Sequence, residues 1–181
     1  LAVRSNAESV ERSIRAAYRG GFEQITLVAD EAFSDEHHRA ARRLARQLVG
    51  TEVVDSDNTE IVVQVLLDAS AVSIRQSIDQ AVSIVTSMQR TAVDGLDGDR
   101  VVAPAVRDRR PEVERLAALV HRHQHRSLVS FEELDALGID RLPLSSYRRT
   151  VDRIEQIAST TVRLAETIDG TTLDTSHKQI I

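Results

Sequence analysis

The chain has 181 residues, 41% of them hydrophobic and 28% charged, with a net charge of −5. That balance belongs to a globular chain long enough to bury a core as one domain or two small units, and it excludes a disordered polypeptide. No apolar run approaches the ~20 residues of a membrane helix, and the absence of cysteine excludes disulfides and thiolate zinc sites and fits a reducing cytoplasm.

Taken in chain order, AESVERSIRAAYRGG reads as a helix, with Val10, Ile14, Ala17 and Tyr18 on one face and Gly20-Gly21 as its stop. QITLVA, from Gln24 to Ala29, reads as a strand. Ser34 is an N-cap for a second helix that ends near Gly50, with Leu44 and Leu48 on its packed side. TEVVD and TEIVVQVLL read as a hairpin around Ser56-Asp57-Asn58, since Asp and Asn tolerate the backbone angles of tight turns.

The period then changes. Ala71, Ile74, Ile78, Ala81, Val85, Met88 and Ala92 keep a three-four spacing that predicts a long helix, broken by GLDGD at 95–99. A second long segment covers roughly 100–127, with Pro104 and Pro111 near its start and Val113, Leu116 and Val120 as its packed side. Ser130 and Glu133 read as a capping box for a short helix punctuated by Gly138 and Pro143. Ser145 or Ser146 then caps a last helix with the seam Tyr147, Val151, Ile154, Ala158, Thr161, Ala165 and Ile168. The expected fold is α+β: a helix-strand-helix-strand-strand unit over 1–67, an antiparallel three-helix bundle over 68–170, and a polar frayed tail over 171–181.

No Gly-rich phosphate loop, dinucleotide fingerprint, HExxH pair or nucleophile elbow is present, so the expectation is a protein that is not an enzyme. The acidic helix positions are the candidate metal ligands. Asp152, Glu155 and Ser159 share a helix face, and Asp108 and Glu112 are four apart with Glu114 nearby. Solvated helix flanks are the commoner use of such a pattern. In HRHQH, His121 and His125 have a two-ligand spacing, but the expected reading is a polar helix end, with His123 turned toward the seam of Val120. His37 and His38, adjacent in sequence, make a poor pair. Arg39, Arg42 and Arg46 form a stripe, with Arg43 beside it, that suits phosphate groups or an acidic partner and otherwise a wet helix face.

Four phrases in order carry a resemblance: AAYRGGFEQITL (16–27), LVGTEVVDSDNTEIVV (48–63), RDRRPEVERLAALVHR (107–122) and EQIASTTVRLAE (155–166). Together they resemble the archaeal branch of the PhoU-type phosphate-uptake regulators. The resemblance implies a three-helix bundle and a cytoplasmic, non-enzymatic regulator of phosphate uptake or phosphate-responsive signalling. Such a regulator is expected to act through contacts with transport or signalling proteins, as a homodimer. It also implies an iron or zinc site built from acidic motifs. Glu155 holds the first acidic position of such a motif, Ser159 replaces the aspartate, and Thr160 replaces a histidine. A hydroxyl is a poorer ligand than a carboxylate. Members of that branch often carry an AbrB/SpoVT-like DNA-binding domain upstream. The chain begins at Leu1 and its one methionine is Met88, so the expectation is a piece of a longer protein, with nucleic acid bound only through such an upstream domain. The alternatives are thus a transcription regulator and a metal-binding sensor.

Overall fold

The first helix, α1 (Ala7–Arg19), starts where the Asn6 side chain accepts the Ser9 N–H at 2.8 Å. Its stripe of Val10, Ile14, Ala17 and Tyr18 is buried, as the spacing predicts. The computed structural model describes residues 6–97 and 101–170, and these divide into two compact units. One holds the described residues up to Ser73 together with Ala118–Ser145; the other holds those of Ile74–Ala117 and from Ser146 onward. The division is not contiguous along the chain, unlike the expected cut at 67/68: residues 118–145 group with the sheet-bearing unit.

In the first unit, α1 leads through Gly20 and Gly21 to β1 (Gln24–Val28). Gly21 takes φ +87°, and a Cβ there would lie 2.8 Å from Cγ of Arg126, so the turn needs glycine both for its angle and for its space. Next come α2 (Asp35–Gln47), β2 (Thr51–Ser56) and β3 (Glu60–Val65). The cap of α2 has His37 in the place of the usual Glu, its Nδ1 accepting the Ser34 N–H at 3.0 Å. The sheet is antiparallel in the order β1-β3-β2, with a bulge between Val53 and Asp55. The predicted hairpin turns on Asp57, whose carboxylate accepts the N–H groups of Thr59 and Glu60 at 2.7 Å. Ile14, Tyr18, Leu27, Leu44, Ile61 and Val63 form the centre of the core. Full burial of side chains of this size is worth about 1.5–3 kcal/mol each. A 3-10 turn (Ala69–Ala71) follows β3, so Ala71 is exposed and outside the seam the sequence assigns it to.

The second unit contains α3 (Ile74–Asp94), α4 (Ala103–Arg107) and the N-terminal part of α5 (Arg110–Val129). The short α6 (Phe131–Leu137) belongs to the first unit, and α7 (Arg141–Gly170) contributes to the second from Ser146 onward. The α3 seam from Ile74 to Ala92 is buried, as are Val113 and Leu116 of α5 and Val151, Ile154, Ala158, Thr161, Ala165 and Ile168 of α7. Asp169 accepts the Val102 and Ala103 N–H groups at 2.9 and 2.7 Å, capping α4 from the end of α7. Gly95 lies close to the same place: a Cβ on it would sit 2.5 Å from Cγ2 of Val102. The fold is thus α+β, a three-stranded antiparallel sheet with helices followed by a mainly helical region.

Two boundaries differ from expectation. The last helix begins at Arg141, so Ser145 and Ser146 are interior. Pro143 sits in its first turn, where no intrahelical N–H is lost. Among the described residues, the expected second long segment is two helices parted at Asp108-Arg109, because Pro111 has no N–H to give the carbonyl of Arg107 and its ring would clash with that carbonyl in a continuous helix. The expected break at 95–99 begins as a 3-10 turn (Gly95–Asp97); its last two residues and the expected tail lie outside the described residues.

Candidate functional site

The predicted acidic ligands all fall in the second unit, on different elements. Asp108 is the C-cap of α4, and Glu112 stands in the first turn of α5. Their four-residue spacing therefore does not place them on one helix, and among the described residues they join no group of three or more metal-ligating side chains. Asp152 and Glu155 do come together, with carboxylate oxygens within 4.8 Å of each other. Ser159 follows one turn later and is half-buried.

The HRHQH stretch is not a polar helix end. Residues 119–124 are buried all round, including His121, Arg122, His123 and Gln124. Within the first unit they anchor a network. Arg122 donates to the Phe22 carbonyl at 2.7 Å and stacks 5.2 Å from the Tyr18 ring. His125 Nδ1–H donates to the Arg19 carbonyl at 2.8 Å, so that nitrogen is not free for a metal. Glu133 does not close a capping box with Ser130, which makes no side-chain cap bond. It is instead only 5% exposed and holds His123 Nδ1 with one oxygen and Arg126 Nε at 2.7 Å with the other. Arg126 also reaches Glu23 at 2.9 Å. Burial pushes the Glu133 carboxyl up, but the bonds from His123 and Arg126 outweigh it and hold it below its ordinary value. The same bond raises Arg126, while burial lowers Arg122. His123 Nε2 has no hydrogen-bond partner among the described residues. An arrangement so enclosed joins the α1–β1 turn to α5 and α6 and offers no open face to a substrate.

The arginine stripe of α2 is exposed. Arg43 pairs with Glu11 of α1, and Arg39 and Arg42 line a 300 Å³ cleft with His38. That cleft also holds Asp35 and Asp57, so its charge is mixed and it does not favour an anion. His38 Nδ1 is bonded to Ser56 Oγ at 2.7 Å. A more apolar cleft of 590 Å³ lies between α1 and β1 beside Phe22.

The most distinctive surface lies in the second unit. Beside its buried seam, α3 carries a second three-four row, Val82, Thr86, Gln89 and Val93; α7 carries Ile157, Thr160, Leu164 and Thr167. Val82, Val93, Ile157 and Leu164 are 46%, 54%, 43% and 49% exposed. Residues of the two rows line a 420 Å³ cleft whose walls carry no charged side chain. The threonines are less polar than their formulae imply. Thr86 and Thr167 each donate their hydroxyl to the carbonyl four residues back at 2.9 Å, which satisfies it within the helix and leaves the methyl as the apolar part of the side chain. The second rows had a signal in the sequence, the repeated three-four spacing; threonine and glutamine mask it because both count as polar.

No family model, curated protein or solved structure matches the chain. Among the described residues, no helix is long and apolar enough to cross a membrane.

Proposed function

We propose that the chain is a non-enzymatic regulatory module that works by protein contact, docking a helical partner on the α3/α7 face of its second unit. The observation that carries this is the uncharged, heptad-spaced row on each of two neighbouring helices, half exposed, in a chain with 28% charged residues. Scattered apolar side chains on a surface need no explanation, but a contiguous apolar groove does. Helices that present such rows are recognised by other helices, through anchors one turn apart.

The physiological setting we propose is cytoplasmic regulation of phosphate uptake or phosphate-responsive signalling. It is supported by the four phrases that resemble PhoU-type regulators. The test is deletion of the gene in its host, with phosphate uptake measured under limiting and replete phosphate. The expected result is altered uptake that the wild-type chain restores and the Ile157→Asp/Leu164→Asp chain does not. Unchanged uptake on deletion contradicts the phosphate setting. Full restoration by the double variant contradicts the docking face.

A metal-sensing role has one observation in its favour, the Asp152–Glu155 pair. Two carboxylates supply only part of the ligand set a hard cation takes, about six oxygens. Elemental analysis of protein prepared without chelator, repeated on Asp152→Asn, decides it: stoichiometric metal lost in the variant supports sensing, and no metal in the wild type refutes it.

A further inference from the structure

We propose that the open edge of β1 binds an extended, acidic peptide segment of another protein, which joins the sheet as a fourth strand. This surface lies in the first unit and does not depend on the α3/α7 face. The sheet order β1-β3-β2 leaves β1 and β2 as its edges. Edge strands are usually blunted by bulges, charges or proline, because their free backbone groups invite another chain. β2 has two of these devices, the bulge between Val53 and Asp55 and the charges of Glu52 and Asp55. From Gln24 to Val28, β1 has no bulge, no proline and no charged residue. The Val65 N–H donates to the Glu23 carbonyl at 2.8 Å and the Ala29 N–H to the Thr59 carbonyl at 2.9 Å, so residues 23, 25, 27 and 29 turn their backbone groups to β3. Alternation turns those of Gln24 and Val28 the other way, where no strand lies among the described residues.

The 590 Å³ cleft between α1 and β1 runs beside this edge, with Ala16, Ile25 and the exposed Phe22 among its walls. Side chains of an added strand alternate between the two faces of the sheet. Every second one therefore enters the cleft on the side of Ile25 and packs on Ala16 and Phe22. A strand edge with a helix alongside and an apolar groove between them suits an extended peptide: the main chain supplies affinity and the groove selects side chains. Charge then narrows the occupant. Among the described residues, Arg12 is the one charged side chain lining the cleft. Its ion pair with Glu8 at 2.9 Å is exposed on both sides, so it holds the guanidinium only weakly. An acidic residue complements Arg12, whereas a second copy of the chain brings the same positive charge to the contact. A small apolar acid satisfies Arg12 and the cleft but leaves the strand edge unused.

The experiment titrates the full chain, labelled with nitrogen-15, with acetylated heptapeptides in which valine alternates with threonine and one threonine is replaced by glutamate, or by lysine in a control set. The glutamate peptides are expected to shift the amide signals of Gln24 and Val28 and to bind about tenfold more tightly than the lysine peptides. Arg12→Glu, at an exposed helix position, is expected to reverse that preference, which a loss of structure does not do. Gln24→Pro removes an outward-facing N–H at the first residue of the strand, where proline is tolerated, and is expected to abolish binding. Should it lose its helical circular dichroism, Ala16→Trp, which fills the cleft from an exposed helix position, serves in its place and must also abolish binding. No shift with any glutamate peptide at about 1 mM overturns the proposal. Equal affinity for the two peptide sets overturns it as well. Without a response to peptide, shifts of Gln24 and Val28 on concentrating the chain alone assign the edge to a second copy, and shifts with sodium decanoate assign the cleft to a small apolar acid; either result refutes the peptide.

Discussion

In the first unit, the polar side chains of Arg122, His123 and Glu133 are buried, whereas in the second unit Val82, Val93, Ile157 and Leu164 stand half exposed, and no charge lines the cleft that the last three border. Each departs from the ordinary rule that polar groups face water and apolar groups avoid it. The two departures have different consequences. Burying a carboxylate is tolerable only when its hydrogen bonds are complete, so the first unit depends on Glu133 keeping both of its partners. Exposing an apolar row costs the isolated fold little and becomes favourable when something covers it. The contrast separates a device for holding the fold from a device for meeting a partner.

The largest expected effect comes from breaking the first device. Glu133→Ala leaves His123 and Arg126 without their carboxylate and is expected to destabilise the chain by about 3 kcal/mol in urea unfolding. A loss under about 0.5 kcal/mol would mean that the network is not structural. Its pH dependence follows from the sign of the shift. The folded-state pKa of Glu133 lies below its ordinary value of 4.5, so the unfolded chain binds the proton more tightly. The stabilisation is complete above pH 4.5 and is lost as pH falls through the folded pKa. Asp57 and Asp68, lowered by hydrogen bonds from Thr59 and Ser70, add in the same direction. Urea midpoints for the wild type and Glu133→Gln should converge as the pH is lowered, and parallel curves would refute the assignment.

Next is Gly21→Ala, which combines a positive φ with a Cβ 2.8 Å from Arg126. About 1–2 kcal/mol of destabilisation is expected, since Arg126 is held by Glu133 and Glu23 and is not free to move aside. In the second unit, Asp169→Ala removes the cap of α4 and should lower stability by about 1 kcal/mol. The smallest effect sharpens the contrast most. Ile157→Ser, measured on dilute protein, should lower stability by at most about 1 kcal/mol, because the side chain is half exposed and not part of the unit's own core. A loss of 2 kcal/mol or more would place Ile157 in that core and weaken the docking account.

Much of the fold was legible from periodicity. The α1 stripe, the alternation Ile25-Leu27, the hairpin at Asp57 and the buried seams of α3 and α7 all follow from spacing and turn chemistry. What spacing did not convey was which of two uses a residue would serve. Ser-x-x-Glu at 130–133 has the form of a capping box, but Arg126 and His123, one and two turns back on α5, offer Glu133 side-chain partners, the guanidinium charged, that outcompete a backbone N–H. The turn of His123 toward the seam of Val120 was legible from helical spacing, but the polar helix end expected of the stretch was not found, because the burial of His121, Arg122 and Gln124 is a property of tertiary packing. Pro143 looked like a boundary and is a first-turn residue. The candidate ligands Asp152 and Glu155 do lie together, as helical spacing requires, while the break at Asp108-Arg109 separates Asp108 from Glu112.

The central claim is that the α3/α7 rows are covered by a partner surface in the working protein. Complementation of the deleted gene tests it most directly, with phosphate uptake as the readout. The prediction is that Ile157→Asp/Leu164→Asp, folded by circular dichroism, fails to restore uptake, while Val129→Asp, at an exposed position of the first unit, restores it. Full restoration by the double variant would contradict the claim.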